Sequence, residues 1–136
     1  MRRTETNLIH LGEEFNKTKA VVGPIYQTST YFAGDNMDDY CTAATATKHP
    51  EFYQRHGNPS NSQVARIIAG LEKTEDALVL ATGMAAISTA ILALVKAGDH
   101  IVAQQTHYSG STLFFTEFLA DYGVSITLVD QSNNQA

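Results

Sequence analysis

The sequence predicts an α/β protein in which a parallel sheet follows an extended arm. Beyond Asn58, short apolar runs alternate with helical patterns, whereas the residues before it show little periodicity. The apolar run 77–81 breaks at Thr82-Gly83 and passes directly into a helical pattern. Strands and helices that alternate in this way imply right-handed crossovers and parallel strands.

Composition excludes several classes of protein. Hydrophobic residues make up 43% of the 136 residues and charged residues 17%, which is typical of a globular chain. The formal net charge is -5 and no basic stripe is visible, so nucleic-acid binding is disfavoured. Cys41 is the single cysteine, interpreted as incidental, and fits a reducing compartment. With no signal-peptide pattern or membrane-length apolar run, we expect a soluble, cytoplasmic protein with no metal site.

Residues 1–58, called the arm below, are predicted to be extended, with one or two short helical turns. They are rich in Thr, Ala, Asn, Asp and aromatic residues. A segment of this kind cannot bury its own apolar groups, so these groups need another surface, possibly a neighbouring subunit. The residues concerned are Val21, Val22, Ile25, Tyr26, Tyr31 and Phe32.

Asn58-Pro59 is typical of a helix start, with an N-cap followed by proline at the first helical position. The helix is predicted to run to about Lys73, with Val64, Ile67, Ile68 and Leu71 on one face. The run 77–81 is interpreted as a buried parallel strand. The next helix is predicted from Met84 to Ala97, with Gly98 as its C′ residue.

The last elements follow the same alternation. A second strand is predicted over 100–104 and a third over 124–129. Between them, a helix over 111–122 is expected to bury Phe114, Phe115, Phe118 and Leu119 and to end at Gly123. Three strands form a small sheet with exposed edges, so the chain reads as the opening of a larger α/β domain.

The turn at Gly83 and Met84 is a candidate anion site. A strand that turns through glycine into a helix leaves backbone N–H groups free at the positive end of the helix dipole. Many α/β proteins have such a turn and bind nothing there, so the turn alone is equally consistent with an empty site.

Two further segments carry candidate ligand-binding side chains. Tyr53 and Arg55 lie two residues apart, so in an extended segment they would point the same way and offer donors to phosphate; an ordinary surface pair is the alternative. Tyr108 follows the second strand, where a ring could stack on a flat cofactor or move a proton. Ser109 or Ser111 could instead cap the next helix, and His107 is expected to be structural or solvated.

Together these motifs resemble the N-terminal part of the Cys/Met-metabolism pyridoxal-phosphate enzymes. That group includes cystathionine gamma-synthase, cystathionine lyases, methionine gamma-lyase and O-acylhomoserine sulfhydrylases. The resemblance extends from about residue 23 to residue 130. The motifs that carry it are Pro24-Ile-Tyr-Gln-Thr-Ser-Thr-Tyr-Phe32, Tyr53-x-Arg55-x-x-Asn58-Pro59, Leu71-Glu72, Ala81-Thr-Gly-Met-Ala-Ala-Ile87, Gly98-Asp99 and Tyr108-x-Gly110-x-Thr112.

The resemblance implies an aspartate-aminotransferase-like (fold type I) domain that begins at residue 59, with the arm contacting a neighbouring subunit of a homo-oligomer, a dimer of dimers in the family. It implies pyridoxal 5′-phosphate as cofactor and elimination or replacement on sulfur amino acids or O-acylhomoserine. Gly83 and Met84 would give backbone N–H groups to the cofactor phosphate. Tyr53 and Arg55 would reach the phosphate of the neighbouring subunit, and Tyr108 would stack on the ring and assist proton transfer.

The sequence departs from the family pattern at several places. Thr82 replaces the more usual serine, the Tyr108–Thr112 segment is one residue longer than expected, and the polar stretch 38–50 is expanded. None of the five lysines has a setting suited to the Schiff base that the family requires: Lys17, Lys19, Lys48, Lys73 and Lys96. We therefore expect an N-terminal fragment that is inactive by itself.

Two alternatives stay open at this point. The chain could be a non-catalytic, truncated homologue that acts at most as a subunit-association module. A nucleotide-phosphate-binding α/β domain would need a glycine-rich loop, and the turn around Gly83 has a single glycine. The sequence does not separate gamma-synthase from lyase or sulfhydrylase.

Overall fold

The computed structural model describes residues 4–32, 34–49 and 51–132. It divides the chain into two compact units, Met1–Val79 and Leu80–Ala136. The domain boundary that the sequence analysis places between residues 58 and 59 stays a prediction. The helix that begins at residue 59 belongs to the same compact unit as the arm. Among the described residues, no helix is long and apolar enough to cross a membrane.

The first unit contains helices α1 (Thr4–His10), α2 (Met37–Thr45) and α3 (Pro59–Glu72), with a 3₁₀ turn at Glu13–Phe15. The helix α3 packs against both α1 and the 3₁₀ turn. Gly70 permits this close approach, since a Cβ there would collide with the side chain of Leu11. The packing explains why α3 and the arm form one unit.

The arm is more helical than the sequence analysis expected. The nine-residue helix α2 begins after Asn36, whose side chain accepts a hydrogen bond from the Asp39 amide at 2.8 Å. Asp38 and Asp39 lie in its first turn, where the helix dipole favours negative charge. The segment 35–39 therefore forms a capped helix start.

The start of α3 confirms the prediction made from Asn58-Pro59. The Asn58 side chain accepts from the Ser60 amide at 2.9 Å, and Pro59 occupies the first helical position. Lys73 caps the other end in a left-handed conformation, with φ of 59°. Capping chemistry thus predicted the start of α3, and the apolar period predicted its end to within one residue.

The predicted strand over 77–81 is wrong. These residues are not part of any strand, and the side chain of Leu78 is 70% exposed. A strand exists only where a neighbour completes its hydrogen-bond ladder. Among the described residues, no segment pairs with this run.

The second unit contains α4 (Gly83–Leu92), β1 (His100–Gln104), α5 (Ser109–Leu113), a π-helical turn (Phe114–Phe118), α6 (Leu119–Asp121) and β2 (Ser125–Val129). The described residues form one sheet, in which β1 and β2 pair in parallel with His100 opposite Ser125. Its core is formed by Leu119 and Val124. The expected three-stranded sheet is thus two-stranded, although its parallel direction is confirmed.

The helix α4 ends at Leu92 and not at Ala97. Beyond it, the Asp99 carboxylate accepts from the Lys96 amide at 2.9 Å, and the Asp99 amide donates to the Lys96 carbonyl at 3.1 Å. This turn satisfies backbone groups that the helix would otherwise pair. Leu94, two residues beyond the end of α4, is 83% exposed.

The third predicted helix starts two residues early, at Ser109, and contains the π-helical turn. Neither Ser109 nor Ser111 caps it, because the N-cap is Tyr108 and no side chain bonds there. A π turn adds a residue and rotates the helix face that follows. This rotation buries Leu119 completely and leaves Phe118 half exposed, so the predicted burial of Phe118 is wrong.

Candidate cofactor site

The start of α4 presents two free backbone donors. Thr82 is the N-cap: its hydroxyl accepts from the Ala85 amide at 3.0 Å, and its carbonyl from the Ala86 amide at 3.1 Å. Among the described residues, nothing accepts from the amides of Gly83 and Met84. The prediction that a helix with free N–H groups begins at this point is confirmed.

The space next to Gly83 is open. A Cβ on this residue would meet no atom within 4 Å in the part of the chain that the structure describes. The fold of the second unit therefore has no steric need for glycine at this position. The amides of Gly83 and Met84 have no acceptor among the described residues and lie at the positive end of the α4 dipole, so the geometry suits an oxyanion that approaches the backbone closely.

Tyr108 lies beside this helix start. The Ser111 hydroxyl is 3.8 Å from the sulfur of Met84, and Ser111 is buried. A Cβ on Gly110 would lie 3.4 Å from that sulfur and 2.6 Å from Cε1 of Tyr108. The Tyr108 ring thus lies over Gly110, and it is 67% exposed. The structure brings together three predicted site residues: Gly83, Met84 and Tyr108.

His107 has a structural setting, in agreement with one of its two expected roles. Its Nδ1 lies 3.1 Å from the Thr112 hydroxyl, and its ring centroid is 5.3 Å from that of Phe115. Its Nε2 is buried and has no partner among the described residues. These contacts hold the chain next to Tyr108 against the following helix.

Tyr53 and Arg55 are close together, but not for the predicted reason. The segment is a turn and not an extended strand, since the His56 amide donates to the Tyr53 carbonyl at 2.8 Å. The guanidinium carbon of Arg55 lies 5.0 Å from the centroid of the Tyr53 ring, in a cation–π arrangement. The two side chains therefore form one unit with a cationic edge.

This turn is anchored to the arm. Within it, the Gln54 amide donates to the Ser29 carbonyl at 2.9 Å. After it, the buried Asn58 donates through Nδ2 to the Tyr26 carbonyl at 3.0 Å. Tyr53 and Arg55 belong to the first unit, whereas the α4 start and Tyr108 belong to the second.

The first unit also contains a cleft of about 550 Å³, which is lined in part by Arg55 and by the run at 77–79. Most of its charges are paired. Lys48 contacts Asp76 at 2.6 Å, and this bond lowers the pKa of the Asp76 carboxyl below its usual value. Arg66 contacts Glu14 at 3.2 Å.

The lysines of the chain are exposed. Hydrogen bonding to Glu51 at 2.8 Å raises the pKa of Lys17, which is the opposite of what an amine nucleophile requires. The other four are exposed as well: Lys19, Lys48, Lys73 and Lys96. None of these amines has the desolvated environment that activates lysine.

Comparison with known proteins finds relatives that match nearly the whole chain. Residues 5–136 match the family described as Cys/Met metabolism PLP-dependent enzyme. The chain is 42% identical to L-methionine gamma-lyase of Porphyromonas gingivalis over 125 residues, which are 92% of this chain and 31% of that protein. It is 33% identical over 132 residues to a protein from Herpetosiphon aurantiacus described as a cystathionine gamma-synthase, covering 96% of this chain and 38% of the relative. The chain thus spans about a third of the length of these relatives.

Solved structures show the same fold. A Campylobacter jejuni protein assigned as an O-acetylhomoserine (thiol)-lyase, whose structure contains a pyridoxyl-lysine phosphate, aligns with a TM-score of 0.86 and 23% identity. The alignment covers 98% of this chain and 33% of the Campylobacter chain. The metB protein of Corynebacterium glutamicum aligns with a TM-score of 0.81 and 28% identity, with the same coverage of both chains. The fold is therefore that of the N-terminal portion of a fold type I enzyme.

Sequence and fold thus lead to one assignment, made over nearly the whole chain. The chain belongs to the Cys/Met metabolism PLP-dependent enzyme family, whose cofactor is pyridoxal 5′-phosphate.

Proposed function

We propose that this chain supplies the phosphate and ring contacts of a pyridoxal-phosphate enzyme that performs elimination or replacement on sulfur amino acids or O-acylhomoserine. The observation that carries the proposal is the pair of free amides at the start of α4, next to the exposed ring of Tyr108. Methionine gamma-lyase and cystathionine gamma-synthase are among the relatives, which supports this substrate class.

The residues at this site fit the cofactor. Gly83 and Met84 offer two N–H donors with open space beside them, as a phosphate requires. When bound, the cofactor supplies an electron sink for the carbon that carries the substrate's amino group. The role of the protein at this point is to fix the phosphate and to exclude competing orientations of the ring.

Tyr108 is proposed to stack on the cofactor ring and to assist proton transfer. Its ring is 67% exposed, and Gly110 leaves the space in which it lies. His107 and Ser111 hold the backbone on either side of it. A preorganised ring loses little entropy when it stacks.

Tyr53 and Arg55 are proposed to bind the cofactor phosphate of a neighbouring subunit. The guanidinium on the Tyr53 ring leaves its donor edge available for a planar oxyanion. The apolar surface of the arm is the reason to propose a partner subunit. Four of its large side chains are largely or fully exposed: Val21, Val22, Ile25 and Phe32. The arm thus favours association into an oligomer, which is also what a non-catalytic association module would do.

The lysine that bonds covalently to the cofactor is proposed to be none of the five in this chain. All five are exposed, and the pKa of Lys17 is raised. The complete activity then belongs to a protein of the relatives' length, and the 136 residues alone are inactive. A cytoplasmic location remains part of the proposal, because the single cysteine fits a reducing compartment.

Mixing two defective variants tests the shared site. Arg55→Ala removes the cation, and Met84→Pro removes a donor amide. If Arg55 serves a neighbour, random mixing into dimers restores about a quarter of the pyridoxal phosphate sites, because each mixed pair has one intact site. Arg66→Ala is the matched control, since Arg66 pairs with Glu14. A mixture that binds no more cofactor than either variant alone would place the site within one chain.

Reduction with borohydride separates the enzyme from the association module. Purified chain is incubated with pyridoxal phosphate, reduced, and mapped by mass spectrometry. We expect no single dominant labelled lysine and no turnover of cystathionine or an O-acylhomoserine. Stoichiometric labelling of one lysine together with turnover would show that the chain is a complete catalyst.

A further inference from the structure

An aromatic cluster lies between α2 and the turn that carries Arg55. It consists of Tyr40, His49, Phe52 and His56. The Phe52 ring is in edge-on contact with all three others, at centroid distances of 5.5 Å to Tyr40, 6.3 Å to His49 and 5.5 Å to His56. The cluster therefore joins the helix of the polar stretch 38–50 to the residue directly before Tyr53.

His56 is the best-connected member of this cluster. Its Nδ1 lies 2.8 Å from the carbonyl oxygen of Ala46. Since a carbonyl oxygen can only accept, Nδ1 carries the proton. Its own carbonyl accepts from the His49 amide at 3.0 Å, and its amide donates to the Tyr53 carbonyl at 2.8 Å. The side chain and backbone of His56 thus connect Ala46, His49 and Tyr53.

Ala46 is the C-cap of α2, and its amide donates to the Thr42 carbonyl at 3.1 Å. The imidazole of His56 therefore satisfies a carbonyl at the end of that helix. Because His56 directly follows Arg55, this bond fixes the end of the turn on which the guanidinium is held against Tyr53. Without the bond, the turn would retain its backbone contacts and the contact between Phe52 and Tyr40, but would lose its hydrogen bond to the end of α2.

We propose that His56 is a positioning residue: its Nδ1–H bond to the end of α2 fixes the Tyr53–Arg55 turn, and through it the direction of the Arg55 cation. The expanded polar stretch 38–50 then has a structural role, since the carbonyl of Ala46 at the end of its helix accepts the hydrogen bond from His56. The inference rests on the proposed function only in taking a phosphate as the target of Arg55.

Three substitutions of His56 separate its hydrogen bond from its ring. His56→Asn places an amide donor where Nδ1 lies and removes the ring. His56→Phe keeps a ring against Phe52 and removes the donor, and His56→Ala removes both. His10→Ala is the matched control, because His10 is an exposed histidine at the end of α1 that pairs with Glu13 of the 3₁₀ turn.

Amide hydrogen exchange resolved to single residues is the first measurement. In the Phe and Ala variants, the amides of His49, residue 56 and Gly57 should exchange roughly two- to tenfold faster, as expected for a lost hydrogen bond. In the Asn variant they should return to within about twofold of the unaltered chain. The amide of Ala69, buried in α3, should not change in any of them.

Equilibrium binding of pyridoxal phosphate is the second measurement, with Arg55→Ala alongside. The unaltered chain and His56→Asn should bind pyridoxal phosphate with higher affinity than His56→Phe and His56→Ala. If exchange follows the expected pattern while Arg55→Ala binds normally, the positioning role stands and the phosphate assignment fails.

Three results would overturn the positioning role. The first is unchanged exchange in His56→Phe and His56→Ala. The second is faster exchange at Ala69 as well, which would mean a general loss of stability. The third is failure of His56→Asn to restore the slow exchange.

Discussion

Replacing Gly110 with alanine should weaken cofactor binding without weakening the fold. A Cβ at this position would lie 2.6 Å from Cε1 of the Tyr108 ring. Ordinary carbon–carbon contacts begin near 3.5 Å, so the ring must move by about 1 Å. The Met84 sulfur, at 3.4 Å from the same point, needs almost no displacement.

Two effects of opposite sign follow from this geometry. Alanine within a helix is favoured over glycine by roughly 0.5–1 kcal/mol, so the free energy of unfolding should stay constant or rise. The stacking of an aromatic ring is worth about 0.5–1.5 kcal/mol, which corresponds to a two- to tenfold rise in Kd for pyridoxal phosphate. Loss of affinity with retained stability identifies the Tyr108 ring as the affected group.

Equilibrium dialysis with pyridoxal phosphate and urea unfolding of the same preparations measure both effects. Ser109→Ala is the matched control, since Ser109 is exposed one residue away and its side chain caps nothing. Repeating Gly110→Ala in a Tyr108→Ala background completes a double-mutant cycle. In that background, Gly110→Ala should cause no further loss of affinity for pyridoxal phosphate. An equal loss of affinity in that background would refute the reasoning, as would unchanged affinity in Gly110→Ala alone.

Three further predictions concern other parts of the chain. Gly83→Ala should leave the midpoint of urea unfolding within about 0.5 M, because its Cβ meets open space, but should weaken phosphate binding measured by dialysis; equal binding would place the anion elsewhere. Asn58→Ala should cost about 1–3 kcal/mol in urea unfolding, because it removes a cap and leaves the Tyr26 carbonyl unpaired, whereas Asn61→Ala on the exposed face of α3 should cost little. The bond to Lys48 lowers the pKa of the Asp76 carboxyl in the folded state, so this ion pair stabilises the fold above pH 3.8, the unfolded pKa, and the stabilisation is lost as the pH falls through the folded pKa. The difference in melting temperature between the unaltered chain and Lys48→Met should therefore close in that pH range. A difference that stays constant with pH would contradict this prediction.

Sequence patterns predicted α3, whose causes are local, and β1, whose partner β2 lies within the described residues. The bounds of β1 were predicted without error, and α3 was predicted to within one residue because its cap and its apolar period lie within the helix itself. The strand over 77–81 failed because a strand depends on a partner that is distant in sequence. The end of α4 failed because the side chain of Asp99, seven residues further along, captures the Lys96 amide.

The candidate site shows the same division. A helix start at Gly83 follows from Thr82 as a cap and the apolar period behind it. Tyr53 and Arg55 were predicted to point the same way from an extended backbone, whereas a turn brings the two side chains into contact. His56 was not predicted as a site residue, because its bond to Ala46 depends on a helix that the composition of 35–47 obscured. The capping pattern Asn36-x-Asp38-Asp39 was the signal that could have revealed that helix.

The central claim is that the start of α4 and Tyr108 bind the phosphate and ring of pyridoxal 5′-phosphate. Titration of isotope-labelled chain with the cofactor, followed through backbone and aromatic NMR shifts, tests it most directly. The largest amide shifts should occur at Gly83 and Met84, the Tyr108 ring should shift with the same Kd, and inorganic phosphate should shift only the two amides. Largest shifts at other residues, or phosphate shifts that spare Gly83 and Met84, would contradict it.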